Sequence, residues 1–298
     1  MEDIDVECVG VMSGTSLDGI DVALCQFGCS AGKWRLLRSS GVTYAYSDEM
    51  LARLKQSYTM SGRELAQLHA DYGIYIGNIV KKFVDERNTS PLFVASHGYT
   101  VFHSPDSCMT LQIGSGAHIA AQSGLPVICD FRTTDVALGG NGAPLVPIGD
   151  KLLFGDYDAC LNLGGFANIS FDDEQLNRIA FDICPLNIVA NTLVRTIGLE
   201  FDTNGDLGRQ GSVDNDLLAR LNGISYYGQL PPKSLGREFV DTNVLPLFGR
   251  RNDIKNLLAT CYHHAAQQIA AVANSHSWQS ILTTGGGVYN TFFMSCLQ

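Results

Sequence analysis

Short apolar runs alternate with glycine-rich turns along the chain, and the hydrophobic period shifts between two and about 3.6 as strand-like stretches give way to helical ones. Residues 6–12 and 20–26 flank a turn of glycines, hydroxyls and acids, and residues 34–43 read as a third strand, which together predict an antiparallel meander. A helix is expected over residues 48–58. Ser61, with Glu64 three positions on, has capping-box spacing and opens a long helix to about Arg87. Strands are expected at 92–96, 110–113 and 127–130, with a helix over 116–123 between the last two.

The segment GGNGAPLVPIG, residues 139–149, carries the glycine and proline density of a hinge. It sets the expected division into an N-terminal lobe, 1–144, and a C-terminal lobe, 145–298. The second lobe repeats the first: strands at 159–163, 168–171 and 179–182 around a Gly164-Gly165 turn, then helices near 186–197, 213–222 and 252–274. A strand at 281–283 and a triple-glycine turn into a last helix complete it. Two such lobes facing each other across a hinge suit a nucleotide held between them, an internal duplication by topology and not by residue identity.

With 298 residues, 45% hydrophobic and 17% charged, the chain can bury more than one core and reads as soluble and globular. A net charge of -10 argues against a nucleic-acid surface, which needs a basic stripe, but leaves room for a local phosphate site. Nine cysteines without a CxxC pair read as reduced thiols, those in apolar strand contexts (Cys8, Cys25, Cys129, Cys160) as buried ones. The acidic start MEDIDVEC lacks a signal-peptide layout, and no apolar run is long enough for a membrane span, so a cytoplasmic protein without a membrane partner is expected. From Asn256 to Gln298 there is no charged residue, which suggests interior structure, and the absence of a cap signal after Leu297 suggests that the natural protein continues.

Candidate chemistry gathers at four segments. The first turn comprises Gly14, Thr15, Ser16, Leu17, Asp18, Gly19, Ile20 and Asp21, where glycine amides and hydroxyls suit phosphate oxygens. Gly164, Gly165 and Asn168 offer a second such turn. Gly285, Gly286 and Gly287, followed by Asn290, let backbone approach a flat ring or ribose. Asp182 is a carboxylate at the end of an apolar strand. Each has a plainer reading: a hairpin turn for Gly164-Gly165, a helix-start acid for Asp182, an ion pair with Asp130 or Asp135 for Arg132. His97 and His103 lack the partners of a metal site, and no metal-ligand cluster is expected. No Walker-type GxxxxGK[ST] loop is present.

Taken together, MSGTSLDGID, SHGYTVFH, LQIGSGAHIA, DFRTTDVALGGNGAPLVP, LNLGGFANIS, FDICPLN, PPKSLGRE and TTGGGVYNTFFM resemble the anhydro-N-acetylmuramic acid kinase family, in that family's order. The resemblance implies an α/β, two-lobed actin-like (ribonuclease H-like) fold with a mixed five-stranded sheet and helices in each lobe, and a homodimer. It implies ATP with Mg²⁺ as cofactors, and phosphorylation of O6 of 1,6-anhydro-N-acetylmuramic acid with hydrolytic opening of the anhydro bridge, in peptidoglycan recycling. On matching positions it makes Asp182 the catalytic base, 14–21 and Gly164, Gly165 and Asn168 the phosphate segments, and Gly285 to Gly287 with Asn290 the adenosine segment. Arg132 and His97 fall to the sugar. Separately, Asp18, a hard oxygen donor, suits a Mg²⁺-bound water and not direct coordination. The chain departs from the family's FDTGPGN at Cys184 and Leu186, and from its RRRD-like run at Thr133 and Thr134. The alternatives are an actin-fold kinase of another amino sugar and a non-catalytic sugar- or nucleotide-binding regulator.

Overall fold

The structure, a computed structural model, describes residues 4–14, 17–249 and 252–298. Its backbone contacts divide the chain into two compact units, Met1–Leu145 and Val146–Gln298.

In the first unit, β1 (Ile4–Ser13), β2 (Ile20–Ser30) and β3 (Lys33–Tyr44) form the expected antiparallel meander. Helices α1 (Asp48–Gln56) and α2 (Gly62–Arg87) follow, then β4 (Phe93–Ser96), a hairpin of β5 (Tyr99–Ser104) and β6 (Met109–Ile113), α3 (Gly116–Ser123), β7 (Val127–Cys129) and α4 (Thr133–Ala137). β4 lies parallel to β1 and β7 parallel to β4, giving the order β3-β2-β1-β4-β7. The long β3 is an edge strand and is exposed along nearly all its length.

The capping box at Ser61 is formed: the Ser61 amide donates to Glu64 Oε2 at 2.9 Å, and the Glu64 amide donates back to Ser61 Oγ. From that start α2 buries Leu68, Tyr72, Ile76, Val80 and Phe83 at spacings of four and three, against Val9, Val11, Ile20 and Val22 of the sheet. Each such side chain contributes roughly 1.5–3 kcal/mol by leaving water. α3 crosses α2 closely because Gly73 and Gly77 carry no side chain; a Cβ on Gly77 would stand 2.6 Å from Gln122 Cβ and 3.0 Å from the Ile119 carbonyl oxygen.

The second unit opens with α5 (Val146–Leu153), then β8 (Ala159–Leu163), β9 (Phe166–Asp172) and β10 (Arg178–Pro185), again an antiparallel meander. Helices α6 (Asn187–Arg195), α7 (Asp206–Arg209) and α8 (Asn215–Asn222) follow. α9 (Arg237–Phe239), a π turn (Val240–Val244) and α10 (Leu245–Phe248) then run on from one another, before α11 (Ile254–Asn274), β11 (Ile281–Thr284) and α12 (Thr291–Leu297). β11 pairs parallel with β8, so the order is β10-β9-β8-β11. That repeats β3-β2-β1-β4 position for position, which is the duplication the turns suggested. Where five strands were expected, this sheet has four among the described residues, without a counterpart of β7. A second core forms around Leu161, Leu163, Ile169 and Phe181 of the sheet with Leu193 of α6, Leu258 and Ala265 of α11 and Phe293 of α12. The charge-free stretch from Asn256 supplies much of it.

Three local expectations need correction. β5 extends the strand tendency through TVFHS, with His103 at its exposed end. α5 forms inside the presumed hinge, because Pro147 sits in its first turn, where a missing N–H costs nothing. Among the described residues all nine cysteines are free, but Cys129 is exposed, since β7 is the other edge of its sheet, and Cys25 is only half-buried. The plainer reading of Arg132, an ion pair with Asp130 or Asp135, does not form; its partners are His97 and the Gly142 carbonyl. No helix among the described residues is long and apolar enough to cross a membrane.

Candidate active site

In the first unit three segments leave the carboxyl ends of parallel strands, where ligands of open α/β sheets bind. The turn at Gly14 follows β1, His97 follows β4, and Arg132 lies three residues after β7. They are tied together by the Ser13 hydroxyl donating to the Gly98 carbonyl at 3.1 Å and by the His97 amide donating to the Val11 carbonyl at 3.0 Å. Arg132 Nε donates to His97 Nε2 at 2.9 Å and Arg132 Nη1 to the Gly142 carbonyl at 2.6 Å. His97 Nε2 is thus an acceptor, and Nδ1, 2.9 Å from the Gly98 carbonyl, carries the ring proton. Burial, helped by the adjacent guanidinium, lowers the His97 pKa and keeps the ring neutral. The pair presents a fixed guanidinium with further donors for a polar ligand. Within the turn, the Leu17 amide donates to the Gly14 carbonyl at 3.2 Å and Leu17 has a left-handed φ of 58°. Asp18 and Asp21 are on the surface, and the Thr43 hydroxyl donates to Asp21. Thr15 and Ser16, assigned to the phosphate segment from sequence, lie outside the described residues.

In the second unit Asp182, Asn168 and Asn162 are directly opposed across β10, β9 and β8, and Asn162 pairs in register with Thr284 of β11. Opposed residues share a face, so one polar row crosses the whole sheet. Gly164 and Gly165 close the β8–β9 hairpin beside it and Gly285 follows β11, which brings the predicted glycine segments to the same sheet end as Asp182. The row's face continues with Ser170, Asp172 and Arg178, covered by α5: the Ser170 hydroxyl donates to Asp150, and Lys151 and Arg178 both pair with Asp172. The opposite face holds Phe181, Ile169 and Leu161 in the core.

Asp182 is half-buried and held by backbone. The Leu235 amide donates to its Oδ2 at 2.8 Å, its own amide donates to the Lys233 carbonyl at 3.3 Å, and the Tyr226 hydroxyl donates to its carbonyl at 2.6 Å. The loop of PPKSLGRE therefore runs along the open edge of β10. Burial raises the carboxyl's pKa, opposed by the Leu235 amide. A carboxylate moved toward neutrality is a stronger proton acceptor, as a general base requires. The family-divergent residues fit the interior: Cys184 and Leu186 are buried, and Leu186, at φ -130°, needs no glycine there.

Asn290 is nearly buried. Its Oδ1 accepts from the Phe293 amide at 2.9 Å, capping α12, so the side chain organises the helix that follows the triple glycine. Sequence reasoning missed Asn162, Tyr226 and Lys233. Asn162 had a signal, a polar side chain breaking the apolar run ACLNL, and Lys233 stands in the quoted segment PPKSLGRE; Tyr226 had none.

The family described as "Anhydro-N-acetylmuramic acid kinase" matches residues 6–298. The kinase of that name from Francisella tularensis subsp. novicida is 35% identical, covering 98% of this chain and 83% of its own. Its namesake from Bacillus cereus (strain 03BB102) is 32% identical over 97% and 82%, and that from Gloeobacter violaceus 37% over 78% and 65%. Component A of the (R)-2-hydroxyglutaryl-CoA dehydratase of Acidaminococcus fermentans superposes with a TM-score of 0.44 at 11% identity, over 98% of this chain and 87% of that one. By the family match and the identities to its curated relatives, the chain belongs to the anhydro-N-acetylmuramic acid kinase family.

Proposed function

We propose that this protein transfers the γ-phosphoryl group of ATP to O6 of 1,6-anhydro-N-acetylmuramic acid while water opens the anhydro bridge. Asp182 takes a proton from water as its oxygen bonds to C1; the C1–O6 bond breaks; O6 bonds to the γ-phosphorus as the bond to ADP breaks. The product is N-acetylmuramic acid 6-phosphate. The observation carrying this reading is the seat of Asp182: a half-buried carboxylate of raised pKa, ending a polar row flanked by two glycine turns.

The turns at Gly14–Asp21 and at Gly164 and Gly165, with Asn168, are assigned to the phosphates, and Gly285 to Gly287 to the adenosine. Asn290 supports that last segment through its cap. Arg132, oriented by His97, is assigned to the sugar. Phosphoryl transfer needs alignment and charge neutralisation more than covalent help. Mg²⁺ supplies part of that neutralisation when bound. Among the described residues no three His, Cys, Asp or Glu side chains gather as a protein-made metal cage. This donor set fits an ion held through waters and phosphates by one or two surface carboxylates, here Asp18.

Asp182→Asn is the direct test. Turnover is expected to fall about 10²- to 10⁴-fold with nucleotide binding retained. Unchanged turnover removes Asp182 from this role.

A further inference from the structure

The eight-residue α3 starts beside Cys129, where β4 and β7 both end, and its first turn has no side-chain cap. The hydroxyl of the N-cap residue, Ser115, lies 2.8 Å from His118 Nδ1 instead. The amides of Gly116, Ala117 and His118 find no acceptor among the described residues. Three such amides carry the positive end of the helix and suit an oxyanion. Ala117 is exposed, so this end is open to an arriving ligand.

A buried group supports the same reading independently. Ser96, the last residue of β4, is 1% exposed, and its hydroxyl has no hydrogen-bond partner among the described residues. It stands in register with Cys129 of β7, so the two side chains share one face of the sheet. On that face a Cβ on Gly116 would lie 2.6 Å from Cys129 Sγ, and a Cβ on Gly114 3.6 Å from Gly98 Cα. The Ser96 hydroxyl is thus aimed beneath the segment that opens α3. A buried hydroxyl without a partner is destabilising, and an acceptor seated at the helix start relieves it. Arg132, three residues beyond Cys129, adds a guanidinium whose Nη2 is not engaged, while Asp130 between them accepts from the Thr133 amide at 3.4 Å.

The sugar in the proposed reaction carries one anionic group, the carboxylate of its lactyl ether. His97 and Arg132, assigned above to the sugar, follow directly from the strand ends that carry Ser96 and Cys129. We propose that the start of α3, with the Ser96 hydroxyl, receives this lactyl carboxylate. That assignment rests on the function proposed above.

The experiment measures calorimetric binding of 1,6-anhydro-N-acetylmuramic acid and of its uncharged lactamide to the full chain, with turnover assayed in parallel. The wild type is expected to prefer the acid by ~10- to 100-fold, as hydrogen bonds to a charged group allow. Ser96→Ala should weaken the acid by ~10-fold, spare the lactamide, and leave the denaturation midpoint of the free protein unchanged or higher. Ala117→Glu places a carboxylate where a helix start favours one, so folding is kept; it should abolish the acid preference. Three results overturn the site: an acid preference intact in both variants, a lower midpoint in Ser96→Ala, or ATP binding weakened by Ala117→Glu with the preference kept. A wild type that binds both sugars equally does so too. A wild type that binds and phosphorylates neither sugar overturns the proposed function instead.

Discussion

Asn162 shows how narrowly single residues are constrained near the candidate site. Its amide is wedged between two glycine turns: a Cβ on Gly285 would stand 2.5 Å from Asn162 Oδ1 and 2.8 Å from the Leu163 carbonyl carbon, and Gly285 has a φ of +87°. Gly285→Ala therefore meets both a clash and a left-handed backbone. It is expected to cost about 1–3 kcal/mol, seen as a lower denaturant midpoint at unchanged slope, and to weaken nucleotide binding. At this scale the sequence was legible in placement where a short motif fixes it, as for Asp182 and Gly164-Gly165, which lie at one end of the same sheet. It was not legible where a role depends on partners distant along the chain. Tyr226 reaches Asp182 across 44 positions, and Arg132 reaches His97 across 35, an imidazole partner that no local spacing announces.

Elements were read well when a cap or a period fixed them. The capping box at Ser61 gave the start of α2, and Asn88, left-handed at φ 49°, ends it. Ser61→Ala is expected to cost about 0.5–2 kcal/mol of stability in chemical denaturation. The Gly77 position in α2 reads from sequence as a helix-weakening residue, yet its value lies in the contact with α3. Gly77→Ala improves helix propensity by about 1 kcal/mol, but forces Gln122 and the Ile119 carbonyl aside, a strain of about 1–3 kcal/mol. A net loss of thermal stability is the expected outcome; a gain would mean that α3 yields easily. Short elements such as α4 and α5 escaped prediction because five to eight residues offer too little periodicity to outweigh a proline or glycine.

For the whole molecule, the duplicated strand order shows in the sequence only as recurring glycine turns, since the two sheets share topology without shared residues. Each unit has its own core, so calorimetric unfolding is expected to depart from a single two-state transition, with a van't Hoff enthalpy below the calorimetric one. A buried polar group in the second core adds a pH dependence. His264 donates from Nδ1 to Asn222 Oδ1 at 2.6 Å and accepts at Nε2 from the Tyr227 hydroxyl at 2.9 Å, so the neutral ring is the one that fits. Burial lowers its pKa from the ordinary 6.5 to about 4. Between those values the unfolded chain binds a proton that the folded chain refuses. The stability is fully present above pH 6.5 and drains away as pH falls toward about 4. His264→Gln should flatten that slope in denaturation measured across the window.

The open margin formed by β3 has a further consequence, for how molecules of this protein treat one another in a crowded solution. Leu36, Leu37 and Val42 stand 37%, 55% and 39% exposed on a twelve-residue strand whose outer side has no neighbour among the described residues. Such a border invites a foreign strand to add itself, and Lys33, Arg35 and Arg38, spaced along the same border, repel an identical one. Neutralising those three cations should turn a guarded rim into a template for fibril growth.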